Sequence, residues 1–495
     1  MLWRLILEGN LAWEAVAKSY RRMLLVGAGS TGNQVARELR RNRETRWDAI
    51  GFLDDDPTKQ HAWIQGVPVL GRVDDLPHIV KKKMVDEIIV TMVKVPREVI
   101  SRVIRLAEEA HVPVRIVPTY YELIENRLAT TAFRKIDVAD LLGRNEVTTD
   151  NASIIALLSR KRVLVTGAGG TIGSELVRQI LRAGPELLVM LDRSENALYD
   201  IDRGIRALGP AAPVVPVLAD IGERERIDAV LAAYRPQVIV HAAAYKHVPM
   251  MEHNPVEALK NNVLATQALG ELSVAHGVER FVFISTDKAV NPASVMGMTK
   301  RMAEVVLQDL NRMDKTCFSA VRFGNVLDSS GSVVPLFREQ IQKGQPVTVT
   351  HPEMQRYFMT IGEAVSLVLQ ASALAKGGEI FVLDMGEPVR IVELAEEMIA
   401  LSGLRPHVDV PIVFTGIRPG EKLFEELDVS ERSAYQTGHA RIYISKIRQV
   451  EQQAVATLLE KCRRLGAGNL DKETVRTAVQ QLYREIAADP APEDA

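Results

Sequence analysis

At 495 residues the chain is longer than one hydrophobic core usually serves, so two or three domains are expected. Lys and Arg total 61 against 63 Asp and Glu, and the resulting net charge of −2 offers no electrostatic footprint for a nucleic-acid partner. With Cys317 and Cys462 as the only cysteines, a disulfide framework and a cysteine-rich zinc site are excluded, no metal is expected, and a reducing, cytoplasmic compartment fits.

Residues 1–20 form an amphipathic segment in which Leu2, Trp3, Leu5, Ile6, Leu7, Leu11, Trp13 and Val16 are broken by Arg4, Glu8 and Gly9. It is too short and too charged to span a bilayer, and it lacks the small-residue cleavage pattern of a secretory signal. A helix packed on protein is the plain account. The other is peripheral contact of residues 1–22 with the inner face of the cell membrane, through two tryptophans followed by Lys18, Arg21 and Arg22.

A strand, glycine turn and helix then occur twice. Met23-Leu24-Leu25-Val26 runs into Gly27-Ala28-Gly29-Ser30-Thr31-Gly32 and a helical pattern, the next strand ends at Asp54, and further strands are expected at 87–91 and 112–117. Residues 21–120 are therefore read as a small Rossmann-like domain, whose glycines serve either a nucleotide or packing alone. A connector is expected over 121–160. In the second unit Val163-Leu164-Val165 leads into Gly167-Ala168-Gly169-Gly170-Thr171-Ile172-Gly173, with strands expected at 187–191, 214–218, 238–241, 281–285 and 319–323. Strands alternating with helices imply an α/β fold with two doubly wound parallel sheets. Past Asn325 the regularity weakens, as suits a smaller substrate-capping region within a domain of 161–445. Helices and a disordered tail are expected over 446–495.

In the second turn Gly167, Gly170 and Gly173 have the spacing of a dinucleotide site: a tight turn, bare backbone against pyrophosphate, and close helix packing. Asp192 ends the following strand, where a carboxylate accepts from ribose hydroxyls and repels a 2′-phosphate. Arg193 after it leaves some room for NADP, but the carboxylate favours NAD over NADP. Asp220, followed by Ile221, ends the next strand and is placed for the adenine edge. For both aspartates a strand-end cap is the alternative to the cofactor role. Thr171, Ile172, Ala242, Ala243 and Lys246 complete the expected cofactor contacts, and Lys246 is also placed to reach the substrate.

Five stretches then carry a resemblance: 241–252 (HAAAYKHVPMME), 285–300 (STDKAVNPASVMGMTK), 322–326 (RFGNV), 351–359 (HPEMQRYFM) and 418–423 (RPGEKL). Together they resemble bacterial nucleoside-diphosphate-sugar 4,6-dehydratases, most closely the large membrane-associated class acting on UDP-N-acetylglucosamine in polysaccharide and glycan biosynthesis. Short-chain dehydrogenase-like enzymes place Tyr-x-x-x-Lys where this chain has Met296 and Lys300, and a thioether cannot move a proton. In the resembled class, too, methionine replaces the tyrosine. That class usually begins with transmembrane helices, which are not read here, and it usually carries Gly and Arg where this chain has Asp328 and Ser330.

The resemblance implies internal redox: NAD+ takes hydride from sugar carbon 4, water leaves across carbons 5 and 6, and the hydride returns to carbon 6. It implies Lys288 as base at carbon 5, Asp287 as acid at the 6-hydroxyl, Thr286 bonded to the sugar, Lys300 on the nicotinamide ribose, and Met296 beside the reacting sugar. A lysine acts as a base only when neutral, which burial favours, and Asp287 must be held protonated. Asn325, Arg356, Arg418 and Glu421 are expected at UDP, or else are surface ion pairs. Retention at carbon 5 and a homo-oligomer are implied. The competing readings are a UDP-sugar 4-epimerase and a non-catalytic NAD-bound regulatory protein.

Overall fold

Apolar side chains on alternate faces dictate both sheets. In β1 (Arg21–Val26) Met23 and Leu25 enter one apolar cluster while Leu24 and Val26 enter another, and all four are fully buried. A strand buried on both faces needs helices on both, which is the doubly wound arrangement. The computed structural model describes residues 20–41, 46–92, 95–117, 133–143, 150–427, 434–446, 450–468 and 470–487. The amphipathic segment, apart from its last residue, and the expected disordered tail after 487 lie outside the described residues.

The described chain divides into two compact units. In the first, a seven-stranded sheet joins β1 to β2 (Trp47–Leu53), β3 (Trp63–Ile64), β4 (Val67–Gly71), β5 (Glu87–Val90), β6 (Val114–Ile116) and β7 (Arg134–Lys135), in the order β3-β4-β2-β1-β5-β6-β7. Helix α1 (Ser30–Arg41) covers one face through Val35, Ala36 and Leu39; α2 (Leu76–Lys83) and α3 (Arg97–Glu109) cover the other. Two expectations about extent are corrected here. Residues 121–160 are not merely a connector, because β7 pairs antiparallel with β6. Residues 340–347 and 393–412, expected within the second domain, belong to the first unit, where Ala400 and Leu401 pack on its apolar cluster.

The second unit opens with α4 (Asn151–Leu158), capped by Asp150, and then alternates β8 (Arg162–Thr166), α5 (Thr171–Arg182), β9 (Leu187–Asp192), α6 (Glu195–Ala207), β10 (Val214–Leu218), α7 (Arg224–Tyr234) and β11 (Val238–His241). After α8 (Thr266–Ala275) come β12 (Arg280–Ile284), α9 (Val295–Asn311), β13 (Cys317–Arg322), α10 (Ile361–Leu374) and β14 (Ile380–Leu383); β15 (Ala434–Gln436) and β16 (Ile442–Ser445) close the sheet. Its order is β10-β9-β8-β11-β12-β13-β14-β16-β15, antiparallel only at β14/β16 and β16/β15. The strand order reverses between β8 and β11, and the crevice at such a switch point is where open α/β sheets hold ligands. Phe281, Phe283 and Phe318 fill one face, each worth about 1.5–3 kcal/mol of burial. Helix α9 is buried on two sides: Ala303 and Leu307 meet the sheet, while Met298, Met302 and Val305 meet α11 (Gln452–Ala467) and α12 (Lys472–Ala487). No described helix is long and apolar enough to cross a membrane.

Candidate active site

The glycine turn between β8 and α5 is forced by close approach. Gly167 has φ +69°, and a Cβ there would stand 2.7 Å from the Ala243 nitrogen; one on Gly173 would stand 1.9 Å from the Gly167 carbonyl oxygen. A side chain at either position would push α5 off the turn. Beside the turn is a cavity of ≈ 160 Å³ lined by Gly167, Gly170, Asp192, Arg193, Ile221, Ala242 and Ala243, all expected, and by Leu191, Ala219, Ala244 and Asn261, which were not. Thr171 starts α5, and its hydroxyl accepts from Ser330 N at 3.1 Å; Ile172 packs against the core.

Asp192 closes the turn: one carboxylate oxygen accepts from Gly169 N at 2.9 Å and the other from Ser194 N at 2.8 Å. Asp220 likewise accepts from Gly222 N at 2.8 Å, so both aspartates are strand-end caps, and Asp192 also lines the cavity. Arg193 pairs with Asp220 at 3.5 Å and lies 4.3 Å over the Tyr245 ring. In the first unit Asp54 repeats the cap, accepting from Ala28 N at 2.7 Å, and also holds Lys59 at 3.1 Å.

Strand β12 delivers the reactive segment. Ser285 N donates to Val321 O and Asp287 N to Phe323 O, prolonging the ladder beyond the strand, and Thr286 caps the short helical turn of Asp287–Ala289. Asp287 is 1% exposed. Its Oδ1 accepts from Thr286 Oγ1 at 2.9 Å and from Lys288 Nζ at 3.0 Å, while Oδ2 is buried without a hydrogen-bond partner among the described residues. Lys288 Nζ also donates to Asn325 Oδ1 at 3.0 Å and lies 3.7 Å from Glu425. Partial burial and then repulsion from Lys288 hold the Lys246 amine below the ordinary lysine range, although the residue as a whole is exposed.

Lys300 projects from α9 behind this segment. Its Nζ donates to Ile284 O at 2.5 Å and sits 3.9 Å over the Phe283 ring. Burial pulls its pKa down to about 7 against a partial upward pull from Glu304. An unfolded chain would titrate this group near 10.5, so stability rises with pH between about 7 and 10.5, and the full penalty, roughly 5 kcal/mol, applies below 7. Lys300→Met is therefore expected to melt above the parent at pH 6, with the gap closing towards pH 10. A constant gap in melting curves across that range would refute the linkage.

Met296, expected beside the reacting sugar, is 3% exposed and belongs to the apolar cluster of Met251, Leu259 and Val263. Its side chain is wholly apolar, and the first turn of α9 points it inward. Arg356, expected at the diphosphate, donates through its terminal nitrogens to Gln355 O, Leu423 O and Lys422 O at 2.6, 3.1 and 2.7 Å. Arg418, 58% exposed, pairs with Glu421 at 2.8 Å as an i,i+3 surface pair. Two further residues went unread. Asn262, in a π-helical turn over Leu259–Ala265, bonds both backbone groups of Tyr245 and the Thr299 hydroxyl, tying the loop after β11 to α9. Its signal was the Asn261-Asn262 pair inside an otherwise helical pattern. Glu425 lies just past the Arg418–Leu423 motif. Among the described residues no cluster of His, Cys, Asp and Glu is suited to a metal ion.

A dinucleotide turn at a sheet's switch point, with a buried acid–amine pair two strands away in the sheet, defines a Rossmann enzyme of the short-chain dehydrogenase/reductase class. The family model for polysaccharide biosynthesis proteins matches residues 163–447, and a CoA-binding domain model matches residues 1–118. The chain belongs to the polysaccharide biosynthesis protein family. It is 44% identical over 471 residues to the capsular polysaccharide biosynthesis protein CapD of Staphylococcus aureus, covering 93% of this chain and 78% of the relative. It is 30% identical over 282 residues to an inverting UDP-N-acetylglucosamine 4,6-dehydratase of Campylobacter jejuni, covering 56% of this chain and 80% of the relative. Among solved structures, Pen from Bacillus thuringiensis matches with a TM-score of 0.54 and 29% identity, over 66% of this chain and 99% of that one.

Proposed function

We propose that the chain is an NAD-dependent 4,6-dehydratase of a UDP-sugar, UDP-N-acetylglucosamine first, supplying a 4-keto-6-deoxy sugar nucleotide for polysaccharide or glycan precursors. The observation that carries this reading is the 3.0 Å hydrogen bond between Lys288 and the buried Asp287. Elimination needs an amine to take the carbon-5 proton and a carboxylic acid to protonate the departing 6-hydroxyl. Passing one proton along that bond converts ammonium and carboxylate into amine and acid with no change in net charge. Thr286, bonded to Asp287, is placed to hold the sugar and to relay the 4-hydroxyl proton.

The cavity fits NAD: its glycine cradle has no room for a Cβ at Gly167, and Asp192 disfavours a 2′-phosphate. Bound there, the dinucleotide would supply a two-electron acceptor that is restored within each turnover. Lys300 would hold its nicotinamide ribose, and Asn325 with Lys246 would meet the substrate. Relatedness to the Campylobacter jejuni dehydratase supports the reaction class.

Incubating the NAD-loaded protein with UDP-N-acetylglucosamine in deuterated water tests the reading. Mass spectrometry should show loss of one water, and proton NMR one deuterium at carbon 5. The couplings among the remaining ring protons, at carbons 1 to 3, report the ring conformation and separate the retention expected from the resemblance from the inversion named for the Campylobacter jejuni relative. Unchanged mass with a 4-epimer as product would make the protein an epimerase. Bound NAD with no change in this or another UDP-sugar would favour the regulatory reading.

A further inference from the structure

Glu425 has no place in the scheme above, yet its position is unusual. Its side chain is 5% exposed, and one oxygen lies 3.7 Å from Lys288 Nζ and 3.6 Å from Arg356 Nε. A carboxylate removed from water needs opposite charge close by, and these two cations supply it. The backbone around Glu425 is fixed at several points to the reactive segment. Arg356 holds the carbonyls of Lys422 and Leu423. Lys422 Nζ donates to Val290 O at 3.3 Å and to Glu426 at 2.8 Å, and Asn291 Nδ2 donates to the other Glu426 oxygen at 2.8 Å.

An ammonium has three N–H donors. Around Lys288 stand three acceptors: Asp287 and Asn325 at 3.0 Å and Glu425 at 3.7 Å. Two of them are matched to the proposed chemistry, whereas Glu425 comes from a distant part of the chain and favours the charged amine. We infer that Glu425 is a positioning residue for Lys288, setting its orientation and its proton occupancy through the docked 422–426 segment. The inference rests on the dehydratase reading, in which Lys288 is the base.

The charged and titratable groups facing this point are Asp287 on the reactive turn, Lys246 after β11, Arg356, and Lys422 with Glu426 on the docked segment. Tyr357 packs beside Gly324, its phenol pushed up by burial, then by Glu387 and by Asp287. None of these changes in a Glu425→Gln variant, which keeps shape and removes one negative charge.

The test is the pH profile of kcat for UDP-N-acetylglucosamine dehydration by the full NAD-loaded chain. Glu425→Gln should move the acidic limb to lower pH by about one unit, because the amine loses a counter-charge, and lower kcat at the optimum roughly tenfold. Glu425→Asp should keep the limb near its parent position while losing kcat through its shorter reach. A merely structural role would lower kcat in both without moving the limb. A Gln profile superimposed on the parent, while Lys288→Ala is inactive, overturns the inference and leaves the dehydratase reading standing. Full activity of Lys288→Ala removes both. Should the Gln variant fail to fold, Glu425→Ser is read in its place: an acidic limb lowered by about one unit supports the inference, and an unmoved limb overturns it.

Discussion

Lys288→Ala should lower turnover of UDP-N-acetylglucosamine by roughly 10²–10⁴-fold, the usual contribution of a positioned proton-transfer group, with NAD still bound. The cofactor cavity is lined by the turns after β8, β9, β10 and β11, and Lys288 is not among its walls. Truncation also removes the donor on Asp287 Oδ1, leaving Thr286 as the hydrogen-bonding neighbour of that oxygen. The loss should therefore fall on kcat and not on cofactor content, measured by absorbance of the nucleotide released on heat denaturation. Turnover within tenfold of the parent would take the base role from Lys288.

The second large effect concerns stability. Glu304→Ala should destabilise the second unit by about 3–5 kcal/mol, the range for breaking a buried ion pair from one side. Arg322 is 2% exposed, and its guanidinium meets Glu304 through two bonds of 2.7 and 2.6 Å. Ser285 Oγ donates to the same carboxylate at 2.6 Å, and Arg301 reaches it at 3.2 Å. Burial pushes the Glu304 carboxyl up, but the two guanidinium groups and the serine outweigh it and hold the group below its ordinary range. Removing Glu304 strands two buried cations, one of them on the strand beside β12. A urea midpoint unchanged from the parent would show that the network contributes nothing net. Replacing Glu304 and Arg322 together by apolar residues should cost less than Glu304→Ala alone, because Arg301 is then the one cation left without its carboxylate.

The glycine turn and its aspartate were legible in the sequence because both act through backbone spacing: Gly167, Gly173 and Asp192 need only a strand, a tight turn and a helix to be placed. The strands were legible for the same reason, their apolar alternation being local, and ends such as Ile284 and Arg322 fell within two residues of expectation. Partner choice was not legible. Arg356 and Arg418 carry the chemistry that suits a diphosphate, but spacing does not say which acceptors the folded chain will offer them first. Met296 sits in register with Lys300, and register alone did not reveal that its side chain turns into the packing between α9 and the C-terminal helices. Glu304 and Glu425 escaped notice because their partners are 18 and 137 residues away. Only the sheet brings Ser285 and Arg322 together, and only the loop fold brings Glu425 to Lys288.

The aspartate that closes the glycine turn has a practical consequence. Because Asp192 already satisfies Gly169 N and Ser194 N, the loop holds its shape through groups the chain supplies itself. A carboxylate has about four acceptor sites, so this cap leaves capacity for ribose hydroxyls. Filling the crevice is then a docking event on a ready-made surface, not the last step of folding. Cofactor-stripped protein should keep its circular-dichroism spectrum and regain full occupancy on simple addition of the nucleotide, without a refolding cycle.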